Sequence, residues 1–594
     1  MKYLITIGVI FLSIICGASA IEKSKKDSNE QAVVYLQSEL VSFCRETAAL
    51  SQTIGLLDSA RHATVLNAQN ALLKCRLHYK RVSFFLDYYF PHQARVFNAP
   101  AKYEAEEPYM EYEEPQGMQL IESLLFDSNP VRNKGALIMQ AAVLKESAAG
   151  LPMLLYNFSF TAPGLMESAR IELIRIMALY IEGYDAPFLK SGIDESAGAL
   201  LALRTIVEIY ASGKEDAKLF KQFDDAIKYL KAHGSFDAFD RLTFLTQYAV
   251  PLEKGLHCFI AQNQWYTSSC SQLDYNAGLF NGEILPLESH SNKLTAVLGE
   301  KLFFDKSLSG NETRSCATCH QPDKFFADGL AKNKDINSDR PLKRNTPSLY
   351  YCAFQSTQFW DGRAKDLQTQ IVEVLNDQHE MNSSAEKILA AINNANYKPL
   401  FARAFQNDTT KNFTVHHAAK AIASFLQTLA PMNSAFDRYV KGDNAAMTAL
   451  QKQGFNLFTG KAQCATCHFV PLFNGSTPPF FNKSEYEVLG TPGSENFARA
   501  KLDADNGRYA YFPIFFYKGA FKTPTLRNIR KTAPYMHNGE FSTTQKVIEF
   551  YNKGGGDGLK IKAEGQTLSA KPLGLSKKEM VAIDSFLTAL TDKK

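Results

Sequence analysis

The sequence predicts a mainly α-helical chain: a helical bundle through the first half, followed by two small, loop-rich domains. Three observations carry this. From about residue 31 to residue 264 apolar residues recur at a helical period, with Pro and Gly falling between the periodic segments. Near Leu285 the texture changes to shorter helices and long irregular loops richer in Gly, Pro and Asn. Within that second half the pattern C-x-x-C-H occurs twice with identical inner residues, as Cys316-Ala317-Thr318-Cys319-His320 and Cys464-Ala465-Thr466-Cys467-His468.

A chain of 594 residues is too long for one core. Apolar residues at 45%, charged residues at 21% and a formal net charge of +4 describe an ordinary globular composition. No basic run concentrates the lysines and arginines, which argues against nucleic acid as a partner. The N-terminus carries Lys2, an apolar run from Leu4 to Ile15 and the small-residue finish Gly17-Ala18-Ser19-Ala20, the pattern of a secretory signal peptide over residues 1–20. That run is too short to span a bilayer as a permanent anchor. Cys16 raises a lipid-anchored alternative, although Ile14-Ile15 stands where small residues are expected, so membrane association is expected only through such an anchor. The chain is therefore expected in the periplasm.

The bundle, residues 21–284, is illustrated by residues 59–88, where Val65, Leu66, Leu72, Leu73, Leu77, Phe84 and Phe85 are separated by charged positions. Further helical segments are expected at 165–181, 197–211, 216–233 and 236–262, with no β-alternation of useful length. Residues 103–115, rich in glutamate and tyrosine, read as a solvated acidic loop. The stretch Gly117-Met118-Gln119-Leu120-Ile121-Glu122 faintly resembles the helix of imelysin-like bacterial surface domains. Those carry H-x-x-E, and Gln119 stands at the histidine position here.

Each C-x-x-C-H reads as a haem attachment sequence. Two thiols at this spacing form thioethers to one porphyrin, and the adjacent histidine meets the iron. A zinc site or a redox dithiol is the competing reading, but a zinc knuckle needs two such pairs close together. These lie far apart, each with its own histidine. Two covalent haems c are therefore expected, held by Cys316, Cys319 and His320 and by Cys464, Cys467 and His468, in cytochrome c-like domains at 285–444 and 445–594. Export agrees with this chemistry. Of ten cysteines, Cys44, Cys75, Cys258, Cys270 and Cys352 remain; Cys44–Cys75 and Cys258–Cys270 are candidate disulfides, with Cys352 free.

The ordered stretches LGEKLFFD, SCATCH, RNTPSLYY, FWDGRA, QCATCH, FKTPTLRN and APYMHNG, from about Leu285 to the C-terminus, resemble the bacterial dihaem cytochrome c peroxidase family, which includes the MauG-type enzymes. The resemblance implies that one haem reacts with hydrogen peroxide while the other moves electrons. His320 matches the proximal ligand of the peroxide-reactive haem and His468 that of the electron-transfer haem. Trp360 matches the tryptophan between the haems, an oxidisable indole. Gln370 and Glu380 match the distal glutamine and glutamate, a carboxylate being suited to moving the peroxide proton. Val374 stands where the family often has proline. The capping histidine of reductively activated members lies eight residues before Asn345, where this chain has Asn337, and no histidine occurs between His320 and His379. The first haem should therefore be open. Fourteen residues after His537 the better-known peroxidases place a methionine ligand; this chain has Tyr551, as do MauG-type enzymes, with Met536 as a competing ligand. Asn345, Thr532 and Pro534 match positions that hold a calcium ion.

Three functions follow as expectations. A peroxidase would draw electrons from a small redox protein. A MauG-like enzyme would spend the oxidising power on a protein or peptide substrate, although the surface tryptophan MauG uses, six residues before His468, is Ala462 here. A non-enzymatic dihaem carrier fits less well with an open haem beside a carboxylate.

Overall fold

A computed structural model describes residues 2–106, 111–211, 213, 216–280, 293–406 and 412–593. The chain divides into two compact units, Met1–Leu273 and Asp274–Lys594. The boundary expected at residue 285 lies outside the described residues.

The first unit is helical, as its periodicity requires. Its long helix Lys2–Gly55 buries Ala32, Leu36, Leu40, Phe43, Thr47, Leu50 and Ile54, one stripe at spacings of three and four. Against it pack the helices His62–Tyr79 and Lys134–Ala149. The helically periodic stretch 59–88 forms two helices, His62–Tyr79 and Ser83–Tyr89. The acidic stretch also departs from a plain loop. Glu104–Glu106 and Glu111–Glu113 pair as a short antiparallel ladder, and Arg95 bonds both Glu104 and Glu113, offsetting the cross-strand repulsion.

This unit has an unusually ionic interior. Arg76 meets Glu195 through two bonds of 2.8 and 3.1 Å, Lys80 pairs with Asp185, and Glu172 accepts from Ser83 and Tyr180 at 2.7 and 3.0 Å. Gln119 donates to Asn98 O at 3.3 Å, and Glu122 accepts from the amides of Phe188 and Leu189 at 2.8 and 2.7 Å. Arginine and lysine thus supply the positive charge that offsets burial of these carboxylates. The candidate disulfide Cys44–Cys75 is not formed. The Cys44 thiol donates to Ala148 O at 2.9 Å, on the helix facing its own, and Cys75 is a free, fully buried thiol. Cys258 is also free; the Cys270 side chain lies outside the described residues.

The second unit contains two similar helix pairs. Lys293–Phe303 crosses Val415–Gln427, and Ala449–Thr459 crosses Lys577–Ala589. Each crossing is close because a glycine stands at it. A Cβ on Gly299 would fall 1.8 Å from Ala421 O, and one on Gly454 would fall 1.9 Å from Ala582 O. The capping box at Ser576 and Glu579 starts the last helix as its sequence predicts. Around the first pair gathers an apolar core including Leu302, Phe303, Ile388, Ile422 and Leu426. Around the second, Phe436, Phe455, Phe458, Phe473 and Phe586 form edge-on and stacked ring contacts. The C-terminus joins these halves: Asp592 accepts from Tyr351 and from Asn528, both at 2.8 Å.

Candidate haem centres and the Trp360 bridge

Each attachment sequence follows the first helix of its pair through a short turn. Cys316–Cys319 is a single helical turn capped by Ser315, with a reciprocal bond to Thr318, and Cys464–Thr466 is a 3-10 turn. Both histidines are prepared as ligands. His320 Nδ1 lies 3.0 Å from Phe326 O. His468 Nδ1 lies 3.2 Å from Phe473 O and 3.0 Å from Pro524 O. A carbonyl can only accept, so Nδ1 carries the proton and Nε2 keeps its lone pair for a metal. Burial favours the neutral rings, lowering the His320 pKa and bringing that of His468 down to about 4. The thiols are held protonated by burial, at about 12 for Cys316 and Cys464 and about 11 for Cys319. Two thiols beside one neutral, oriented imidazole is the donor set of a c-type haem, and both sites fit it.

Glu380 follows the helix Leu367–Asn376, which carries Gln370 and Val374, all three half-buried. The Glu380 charge is felt by the thiols of both Cys316 and Cys319, so this carboxylate lies within electrostatic reach of the first attachment site. Burial, reinforced by the charge of Asp377, raises its pKa to about 7 against the pull of Arg363 and Arg314. His379, its neighbour, turns to the surface, where its Nδ1 lies 2.6 Å from Asp335 Oδ2. Asn337, at the position of the missing capping histidine, donates to Gln378 O at 3.0 Å. The loop that could cover the site is thereby tied to the segment carrying Glu380.

Trp360 sits where the two halves of this unit meet. Its indole donates to Asn345 O at 2.9 Å, while its own carbonyl accepts from Lys522 N at 2.7 Å. The turn after it is gripped by two arginines whose role the sequence did not indicate. Arg508 donates to Asp361 O and Gly362 O at 2.8 and 3.0 Å, and Arg344 bridges Asp361 and Asp505 at 2.5 and 2.7 Å. Arg344 opens the RNTPSLYY stretch, whereas Arg508 lies outside every recognised motif.

At the second site Tyr551, half-buried on the helix Thr544–Asn552, has its phenol held well above the ordinary pKa by burial, with Cys467 and Cys464 adding to the effect. Tyr551 thus lies within electrostatic reach of the second thiol pair. Met536 packs on the same cluster of Tyr535, Phe541 and Phe550. Of the expected calcium positions, Asn345 is buried with its Nδ2 donating to Leu330 O and Ala331 O at 2.8 and 3.3 Å, and Thr532 Oγ1 donates to Ile529 O at 3.3 Å. Among the described residues no group of three or more His, Cys, Asp or Glu side chains is arranged to hold a metal ion. An amide whose nitrogen faces two carbonyls presents its oxygen on the other side, so any ion here would take neutral oxygens.

Two oriented imidazoles, each following a thiol pair in sequence, with a half-buried carboxylate in electrostatic reach of the first define a dihaem oxidoreductase. Residues 293–445 match the di-haem cytochrome c peroxidase family, and the chain belongs to that family of peroxidases and MauG enzymes, whose members carry two c-type haems. It is 34% identical over 327 residues to cytochrome-c peroxidase IdrP2 of Denitromonas iodatirespirans, covering 52% of this chain and 84% of that protein. It is likewise 34% identical over 304 residues to the methylamine utilization protein MauG of Methylorubrum extorquens, covering 50% of this chain and 80% of that one. Among solved structures, a MauG-like protein associated with microbial copper homeostasis aligns with a TM-score of 0.44 at 26% identity, covering 52% of this chain and 92% of that one.

Proposed function

We propose that this enzyme reduces hydrogen peroxide at the Cys316–His320 site, with electrons arriving from a small redox protein by way of the Cys464–His468 site. Cys316, Cys319 and His320 would hold a haem, which would supply the redox chemistry for cleaving peroxide. The protein's own task is the proton. Glu380 takes it from one peroxide oxygen and returns it to the other, and a carboxyl with a pKa of about 7 is suited to both halves of that transfer near neutral pH. The observation that supports this reading is that Glu380, its pKa raised by burial, lies within electrostatic reach of both Cys316 and Cys319. Gln370, on the adjoining helix, orients the substrate, and His379 is engaged with Asp335 rather than capping the haem. Trp360 relays electrons between the halves, its indole fixed by Asn345 O.

A second reading, MauG-like oxidation of a protein or peptide substrate, is favoured by Tyr551 next to Cys464 and Cys467. A phenolic oxygen ligand favours the higher oxidation states of iron, where a thioether favours the lower. Steady-state peroxide consumption with a reduced small cytochrome separates the two. Rapid turnover supports the peroxidase, and a stall in a long-lived oxidised state supports the MauG-like enzyme. We further propose export to the periplasm, on the leader-like residues 1–20, and a calcium ion held by the Asn345 side chain with Thr532 and Pro534.

A further inference from the structure

We propose that Tyr486 is a redox-active tyrosine: when no donor protein is bound it gives an electron to oxidised Trp360, and its phenol proton leaves along a chain of hydroxyls. The phenol is built into the Trp360 turn. Tyr486 opens the strand Tyr486–Val488 and pairs with Lys522 of the strand Ala520–Lys522, whose main-chain N–H donates to Trp360 O at 2.7 Å. The Tyr486 hydroxyl lies against Gly362, two residues on from Trp360, so closely that a Cβ at that glycine would overlap it. Arg508 closes the arrangement. It donates to Asp361 O and Gly362 O, and its guanidinium carbon lies 4.2 Å from the centre of the Tyr486 ring.

A phenol is oxidised readily only when its proton departs with the electron, and the Arg508 charge beside the ring sharpens that demand by disfavouring a positive ring. The hydroxyls around Tyr486 supply the exit. Its oxygen lies 2.8 Å from Thr357 Oγ1, Thr357 donates to Ser484 Oγ at 2.9 Å, and Ser484 Oγ is 2.8 Å from Ser356 Oγ. The Thr357 hydrogen is committed to Ser484, so the Tyr486 O–H donates to Thr357. Thr357 is buried while Ser484 and Ser356 are half-buried, and the chain therefore runs from the phenol toward solvent. In the step Tyr486 loses one electron to the Trp360 cation and one proton to Thr357, which passes its own hydrogen to Ser484. A neutral phenoxyl and a restored indole remain. Peroxide is the oxidant and becomes two waters on taking two electrons and two protons; Tyr486 accounts for one of each, and iron and solvent for the others. This role rests on the proposed electron relay through Trp360.

The test uses full-length ferric holoprotein, mixed with an equimolar amount of hydrogen peroxide in the absence of any donor protein, frozen at short times and read by electron paramagnetic resonance. The wild type is expected to give a radical whose hyperfine pattern collapses in protein grown on ring-deuterated tyrosine. Tyr486→Phe keeps the ring and removes the hydroxyl, and is expected to abolish that signal with both haems retained. Thr357→Val keeps the shape of the side chain and removes the proton acceptor. It is expected to slow the appearance of the radical about tenfold or more, the scale of a lost proton-transfer partner, and it serves if the first variant fails to fold. Trp360→Phe is expected to abolish the tyrosyl signal as well. A tyrosyl signal of wild-type size in Tyr486→Phe or in Trp360→Phe would overturn the proposal. So would a wild-type protein that forms no radical, or one whose radical is insensitive to tyrosine deuteration. The relay reading is judged separately, by steady-state turnover with a reduced small cytochrome: full turnover in Trp360→Phe removes the relay, whereas the radical is read with no donor present.

Discussion

Trp360 and Asn345 are joined by an indole N–H···O=C bond of 2.9 Å, and the Asn345 amide in turn donates to His537 O at 2.8 Å. The bridging indole is thus wired by hydrogen bonds to the PYMHNG loop of the other half. Phe521 stacks on His537 with ring centroids 3.7 Å apart, stiffening the far end of the chain of contacts. Trp360→Phe removes the donor and the oxidisable ring together. It is expected to cut steady-state peroxide turnover at least about tenfold, a barrier change of about 1.4 kcal/mol, with both haems retained. Stopped-flow turnover with a haem-stained sample checks it.

The two glycine crossings make a stability prediction. Gly454→Ala drives a methyl into Ala582 O, which is backbone and cannot rotate aside. The helices must separate, and a loss of about 1–3 kcal/mol or more is expected. Gly299→Ala should do the same to the first pair. Urea unfolding of the holoproteins, followed in the Soret region, measures both.

Glu380 sets a pH dependence. Its carboxyl titrates at about 7, and the carboxylate is the form that accepts the peroxide proton. The peroxide-cleavage rate is therefore expected to rise about tenfold per pH unit below that value and level off above it. Glu380→Gln should lower the plateau and flatten the slope; a stopped-flow profile from pH 5 to 9 decides.

Tyr551→Met exchanges a phenolic oxygen for a thioether at the second site. The reduction potential of that haem is expected to rise, because the softer ligand favours the reduced iron. A spectroelectrochemical titration of the variant against the wild type reads the shift, and an unchanged potential would remove Tyr551 as a ligand.

Asp437 and Arg527 form a buried pair, with bonds of 3.0 and 2.9 Å, and Arg527 also reaches Pro471 O beside the second attachment site at 2.8 Å. Asp437→Ala strands the arginine and is expected to cost about 3–5 kcal/mol. Burial opposes ionisation of Asp437, but the Arg527 charge and its hydrogen bonds outweigh it and depress the pKa below 3.8. The stabilisation is therefore fully present above that value and is lost as pH falls through the folded-state pKa. Urea unfolding at pH 7 and pH 3 shows this as a smaller wild-type–variant gap in acid.

Some of this protein was legible residue by residue. Helical periodicity reported the first unit because burying one stripe is a local property of a helix, as the run from Ala32 to Ile54 illustrates. The capping box at Ser576 and Glu579 is local in the same sense. Where the reading failed, distant partners decided. Cys44 faces Ala148 rather than Cys75, and the acidic stretch folds onto itself because Arg95, outside it, neutralises two of its glutamates.

The two C-x-x-C-H sequences determined, by spacing alone, where porphyrins attach and which imidazoles can meet iron, since those atoms are covalent neighbours along the chain. The absence of a histidine between His320 and His379 was equally a property of the sequence. Only the tertiary structure decided what surrounds them. It turned His379 away to Asp335 and set Glu380 within electrostatic reach of the first thiol pair and Tyr551 within reach of the second. The two attachment sequences agree in every residue, so any difference in their chemistry must come from side chains tens of residues away. Burial and charge act through space, and those neighbours exist only once the chain has folded.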